Sequence, residues 1–186
     1  LAKLEAGKFE IHKEPANIKD LIKNRIDFFD LYAKDVKVKL SSVFDKELPE
    51  IANFDPLGIK QVLNNLISNA VKFTRNGGIV SIYAFMHKAG VKLSDQFKAL
   101  SGNTSVHLPD DDLKNAFPSL VLAVSDTGIG ISKEGISQLF NKFSQLEVGA
   151  FRAKKGTGLG LVIAKGIVEG HGGGIGVASK EGGGSI

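Results

Sequence analysis

Three glycines, Gly156, Gly158 and Gly160, stand two apart in the stretch AKKGTGLGLVIAKGIVEGHGGG, where a helical pattern begins. Glycine inside a helix costs about 0.5–1 kcal/mol relative to alanine, so a helix opened this way calls for a compensating reason. The backbone offers one: free N–H groups at a helix start attract anions, and glycine lets a phosphate approach them closely. An ordinary flexible turn entering a helix explains the glycines equally well at this point. What flanks them is more restrictive. A dinucleotide-binding βαβ unit has an apolar strand before its glycines, and FRAKK is not one. A P-loop carries its lysine after the glycines, whereas Lys154 and Lys155 precede them.

A second feature lies far upstream. DPLGIKQVLNNLISNAVKFT reads as a helix with Asp55 as its cap and Pro56 at its first position. Ile59, Val62, Leu63, Leu66, Ile67, Ala70 and Val71 form its apolar face. Gln61, Asn65, Asn69 and Lys72 fall at i, i+4, i+8 and i+11 and share another face. Asparagine is poor in mid-helix because its side chain competes with the backbone. Two of them four apart suggest a polar pocket wall, in which a carboxamide oxygen can ligate Mg²⁺ and Lys72 can neutralise a phosphate. A solvated helix face is the competing reading.

A third feature is SLVLAVSD followed by TGIGIS: a buried strand ending at Asp126, then Gly128 and Gly130. A carboxylate there can accept a hydrogen bond from an exocyclic amine such as that of adenine. It can also be a turn or cap aspartate.

The rest of the chain sets the frame. LAKLEAGKFEIHKEP starts like the end of a charged helix, breaks at Gly7, and alternates like a strand at Phe9 and Ile11. Asn17 can cap a helix carrying Ile18, Leu21, Ile22, Ile26, Phe29 and Tyr32. VKVKLSSVF (36–44) and IVSIYAF (79–85) read as strands, the second entered by a turn at Asn76–Gly78. His87 to Pro118 is polar and weakly periodic, and reads as a long hairpin connection. Ser132 caps a short helix with Ile136 and Leu139, residues 141–155 are mostly polar, and a last strand is expected around Ile175–Ala178. The order implies an α/β (α+β) two-layer sandwich, a mixed sheet with helices on one face.

Composition removes other classes. The 186 residues contain no cysteine, which excludes disulfides, thiolate nucleophiles and Cys-ligated zinc. No apolar run reaches the length of a membrane span, and no signal-peptide pattern opens the chain. The formal charge of +4 favours anionic partners modestly, but without a basic stripe interleaved with aromatics no nucleic-acid partner is expected. The chain starts at leucine and reads as a piece of a longer protein.

Together the three features resemble the catalytic ATP-binding domain of sensor histidine kinases, in the Bergerat-fold (GHKL) superfamily. NNLISNAVKF resembles the N box, DTGIG the G1 box, LFNKFSQL the F box and GTGLGL the G2 box, in the family's order and over nearly the whole chain. The resemblance implies MgATP as the ligand. Asn69 would ligate Mg²⁺, Asn65 would support the phosphates and Lys72 would contact one. Asp126 would read the adenine amine, with Gly128, Gly130 and Ile131 shaping the pocket and Ser185 close to that aspartate. Phe140 and Phe143 would anchor a nucleotide lid over about 141–157. Arg152, Lys154 and Lys155 would reach the β/γ-phosphates. Gly156, Thr157, Gly158, Leu159, Gly160 and Leu161 would form the phosphate cradle. Residues 1–8 would be the end of a dimerisation helix and its linker. Residues 9–186 would be the catalytic domain, with an extended hairpin loop at about 87–118.

Two departures qualify the resemblance. No phosphoacceptor is evident: His12, His87, His107 and His171 lack the helical, acid-flanked setting, and all four read as surface residues. The 87–118 connection exceeds the family's usual turn, and its Asp110–Asp112 run reads as a solvated loop. The implied activity is therefore transfer of the γ-phosphoryl group to a histidine on a dimerisation domain outside this chain, within a two-component phosphorelay. The partners are that domain and a response-regulator receiver domain. A homodimeric parent, a monomeric isolated domain and a cytoplasmic location follow, with a membrane anchor on the parent left open. The alternative is a degenerate nucleotide-binding signalling module without catalysis. A chaperone- or topoisomerase-type ATPase is disfavoured because Asn65 stands where those enzymes carry a glutamate.

Overall fold

The computed structural model describes residues 10–101, 118–141 and 157–186. Phe9 and the 1–8 linker, His107, Asp110–Asp112, Phe143, Arg152, Lys154, Lys155, Gly156 and nearly all of the expected lid lie outside the described residues.

The first strand, β1 (Glu14–Ala16), falls beyond the Phe9/Ile11 alternation and pairs antiparallel with β3 (Ala52–Phe54), Pro15 opposite Asn53. Ile11 packs instead with Val62, Ala164 and Ile167. The Asn17 side chain accepts from the amides of Lys19 and Asp20, opening α1 (Ile18–Asp35), which buries Ile18, Ile22, Phe29 and Ala33. α1 closes through Lys37, the only described non-glycine residue at positive φ (+56°), whose amide donates to Lys34 O. The Val38 amide reaches back to Ala33 O, so Val36 and Lys37 cap the helix and β2 starts only at Lys39 (Lys39–Phe44).

β2 pairs parallel with β4 (Ile79–His87), and β4 pairs antiparallel with β5 (Ser119–Asp126). A parallel pair needs a crossover, and α2 (Pro56–Phe73) lies within it, capped by Asp55 through the Gly58 amide as its sequence indicates. Alternation sorts the sheet's two faces. Val80, Ile82 and Ala84, with Leu120, Leu122 and Val124, face the main core under α1 and α2. Tyr83, Phe85, Val121 and Ala123 point to the other side.

That other face is covered too. Within the long connection, Leu93–Ser101 forms α3, and its Leu93 and Phe97 pack on Phe85 and Tyr83. Leu93, Phe97 and Leu100 have helical spacing, but nine residues hold a helix only when packed. His87 is the last residue of β4, only 5% exposed, with Nε2 2.8 Å from Val91 O, and so is not the surface loop residue its polar neighbours suggest.

Ser132 Oγ accepts from Gly135 N and opens α4 (Lys133–Gln138). The glycine-rich helix, α5 (Gly160–Gly170), begins at its third glycine and packs on α2. The strand expected at Ile175–Ala178 is replaced by a hairpin. Ala178 and Ile186 exchange both backbone hydrogen bonds, and Ser185 bridges both Ser179 and Asp126. No helix among the described residues is long and apolar enough to cross a membrane.

Candidate nucleotide site

β5 delivers Asp126 to the end of the sheet, and glycine backbones wall it in. The Gly128 amide donates to Asp126 Oδ1 at 2.8 Å. A Cβ on Gly128 would lie 2.5 Å from Phe73 O, and the next amide, Ile129 N, donates to that carbonyl. Gly130 sits at φ +67°, where a Cβ would meet Lys180 O at 2.0 Å, and Gly184 at φ +85° presses equally close to Asp126 O. Burial raises the Asp126 carboxyl above its ordinary value, against the opposing pull of the Gly128 and Ser185 amides.

Ser179, which the sequence reading did not single out, ties this loop to the terminal hairpin. Its Oγ accepts from Ile131 N (2.8 Å), lies 2.8 Å from Gly184 O and 2.9 Å from Ser185 Oγ. A carbonyl only accepts, so the Ser179 proton goes to Gly184 O and Ser185 must donate to Ser179. Ser179 carries no local signal; only the hairpin brings it beside Ile131, 48 residues away in sequence.

On α2, Asn65, Asn69 and Lys72 are half-buried and Gln61 is exposed. The Asn65 side-chain amide donates to Gly160 O at 2.8 Å, which sets the start of α5 against the asparagine stripe. Asn69 lies one turn further along. Lys72 Nζ sits 4.9 Å from the Phe73 ring centre, and the Phe73 carbonyl holds the Gly128 loop through Ile129 N. Before α5, Gly158 takes φ +68°, exposed Thr157 accepts weakly from Leu159 N at 3.4 Å, and Leu159 stands at the cap without a side-chain cap bond. Leu161 is half-buried in the first turn. Phe140, just past α4, stacks its ring 5.9 Å from Lys165 Nζ on α5. Among the described residues no three His, Cys, Asp or Glu side chains gather. A cation here would rest on a single carboxamide oxygen from Asn69 plus phosphate oxygens. That donor set suits Mg²⁺, a hard ion that keeps several waters.

The same two helices are joined again at the start of α2 and the end of α5. The Asp55 amide donates to His171 Nε2 at 3.0 Å, and His171 Nδ1 is 2.8 Å from Ile167 O. The Asp55 carboxylate accepts from Gly58 N and His12 N, and Lys13 Nζ donates to His171 O. Burial pushes that carboxyl up, but the amides of Gly58, His12 and Leu57, together with the adjacent His171 ring, outweigh it and hold it below its ordinary value. His171 is thus half-buried and fully engaged, not the free surface residue its glycine-rich surroundings suggest.

A mixed sheet covered by helices, with a half-buried carboxylate at the end of β5 and a glycine-led helix packed on α2, makes an α+β sandwich. Residues 54–186 match the model of the histidine kinase-, DNA gyrase B- and HSP90-like ATPases. The chain belongs to that family. It is 37% identical over 184 residues to the sensor protein GacS of Pseudomonas syringae pv. syringae, covering 99% of this chain and 18% of GacS. It is 30% identical over 186 residues to the sensory/regulatory protein RpfC of Xanthomonas campestris pv. campestris, covering 22% of RpfC. The chain therefore spans about a fifth of these curated relatives. Among solved structures it resembles full-length ShkA in complex with AMPPNP (TM-score 0.70, 23% identity, 99% of this chain and 32% of that one). It also resembles the catalytic domain of histidine kinase ThkA (TM-score 0.65, 22% identity, 94% and 91%). These likenesses bear out the sandwich fold and the sensor-kinase resemblance.

Proposed function

We propose that this chain binds MgATP and donates the γ-phosphoryl group to a histidine on a dimerisation domain elsewhere in its parent protein, for onward passage to a response-regulator receiver domain. The observation that carries the proposal is the Asn65–Gly160 hydrogen bond, which brings the glycine-led start of α5 to the polar stripe of α2. There a triphosphate would meet helix amides, Asn69 and Lys72 together. The relatives' names and the AMPPNP bound by ShkA support the same reading.

Each residue then has a task. Asp126 accepts the adenine amine, Gly128, Gly130 and Ile131 admit the base, and Phe140 with Phe143 holds the lid. Arg152, Lys154 and Lys155 meet the outer phosphates, and Gly156 to Leu161 line them. Asn69 holds Mg²⁺, which when bound neutralises phosphate charge. An imidazole nitrogen of the acceptor histidine forms the new N–P bond as the bond to the β–γ bridging oxygen breaks and ADP leaves. Such transfer depends on positioning and charge neutralisation. Asn65 cannot serve as a base for water, so the isolated domain should not hydrolyse ATP efficiently.

The test is calorimetry with ADP and a non-hydrolysable ATP analogue, with and without Mg²⁺, on wild type and Asp126→Asn. Micromolar to sub-millimolar affinity that rises with Mg²⁺ and collapses in the variant is expected. No binding in any condition would identify a degenerate module, and rapid wild-type hydrolysis would overturn the role given to Asn65.

A further inference from the structure

We infer that His171 is a positioning residue: its neutral imidazole locks the register of α5 on α2 and thereby holds the phosphate-facing start of α5 against Asn65. This rests on the reading that the start of α5 receives phosphates.

The proton inventory fixes the state of the ring. The Asp55 backbone N–H can only donate, so Nε2 must accept; Ile167 O can only accept, so Nδ1 must carry the hydrogen. One imidazole thus joins the last turn of α5 to the residue that caps α2. At the other end Asn65 joins mid-α2 to Gly160. The two joints lie 10 residues apart on α2 (55 to 65) and 11 apart on α5 (160 to 171), about 15 and 16.5 Å of helix at 1.5 Å per residue. The helices are therefore antiparallel and pinned at both ends of one contact.

Between the pins the packing is apolar. Val62, Ala164 and Ile167 are buried there, and a Cβ on Gly58 would stand 3.1 Å from Ile167 Cγ2. Apolar contact is non-directional. The start of α5 has no side-chain cap of its own, and eleven residues do not sustain a helix alone. The polar pins are left to set the register. The His171 end also meets the chain entering the domain, since Ile11 joins this apolar cluster and His12 N and Lys13 Nζ bond to Asp55 and His171.

The test compares wild type, His171→Ala and His171→Gln by NMR without nucleotide, then by titration with MgAMPPNP. In His171→Ala the Asn65 side-chain amide should lose its hydrogen-bonded signature. The Ile163 amide, bonded to Leu159 O in wild type, should exchange at least ten-fold faster, while amides of the β4–β5 pair keep their rates. Analogue affinity should fall at least five-fold. His171→Gln keeps an acceptor for Asp55 N and should restore most of each. Unchanged Asn65 and Ile163 signals in a folded variant would overturn the inference, as would a uniform acceleration of all amides. If His171→Ala does not fold, the same signals in His171→Gln decide: near-wild-type values support the acceptor role, and loss overturns it. Failure of wild type to bind the analogue, with the amide effects present, would remove the proposed function and leave the positioning role standing.

Discussion

The side-chain amide of Asn65 on α2 reaches the carbonyl of Gly160, the first residue of α5, at 2.8 Å across 95 residues of sequence. The carbonyl accepts only, so the donor at this point must be an amide nitrogen. Asn65→Asp keeps the shape but sets a carboxylate oxygen against the carbonyl. It should lower unfolding stability by about 1–3 kcal/mol, the usual penalty for a part-buried polar group left facing a like partner. Urea denaturation at pH 7 measures this, and an unchanged midpoint would show that the contact contributes nothing.

Gly130 and Gly182 separate two kinds of glycine requirement. Both have positive φ, but a Cβ on Gly130 would strike Lys180 O at 2.0 Å, whereas nothing lies within 4 Å of one on Gly182. Gly182→Ala should cost about 1–2 kcal/mol, the backbone term alone. Gly130→Ala adds a clash between main chains and should cost clearly more, with loss of nucleotide affinity as the loop shifts. Equal thermal shifts in the two variants would contradict the packing.

Asp126 should trade stability for binding. Its folded carboxyl titrates above the unfolded value because it is buried, so the folded state holds the proton more tightly. The contribution is fully present below the unfolded value near 3.9 and is lost as pH rises through the folded one. At pH 7 the ionised form is thus a burden on the nucleotide-free fold. Asp126→Asn, whose carboxamide oxygen can still accept from Gly128 N, should melt higher than wild type at pH 7. That advantage should shrink toward pH 4. Melting curves across pH check this, and a lower Asp126→Asn melting point at pH 7 would reverse the sign.

Lys37 is strained without an evident use for its side chain. At φ +56° it occupies the left-handed region where glycine is at ease, and its amide and carbonyl are tied to Lys34 O and Gly77 N. Lys37→Gly should stabilise the fold by about 0.5–1 kcal/mol, a rise of roughly 1–4 °C for a domain of this size. A fall would mean that the entropy of the unfolded glycine chain dominates.

What could be read from the sequence was what local chemistry writes. Asp55-Pro56 marks the start of α2, the alternation of SLVLAVSD marks β5, and Ser132 marks α4. Ala52–Phe54 was not legible, because three residues are too few for a period and only pairing with Glu14–Ala16 makes them a strand. α3 is hard to see in the sequence because its apolar triplet stands in a polar stretch and is stabilised by Phe85 and Tyr83. The links of Asn65 to Gly160, Ser179 to Ile131 and His171 to Asp55 span 95, 48 and 116 residues. No neighbouring residue announces them.

The pairing order of the central sheet has a kinetic consequence. β2 meets β4 only after the chain has passed through β3 and α2, and β4 meets β5 only across residues 88–118. Neither pair can be zipped from a tight turn. Both must close a long loop before any strand contact rewards it, which favours slow folding. During synthesis α1 and α2 can condense early, but β4 must wait with one edge unpaired until Ser119–Asp126 has emerged from the ribosome.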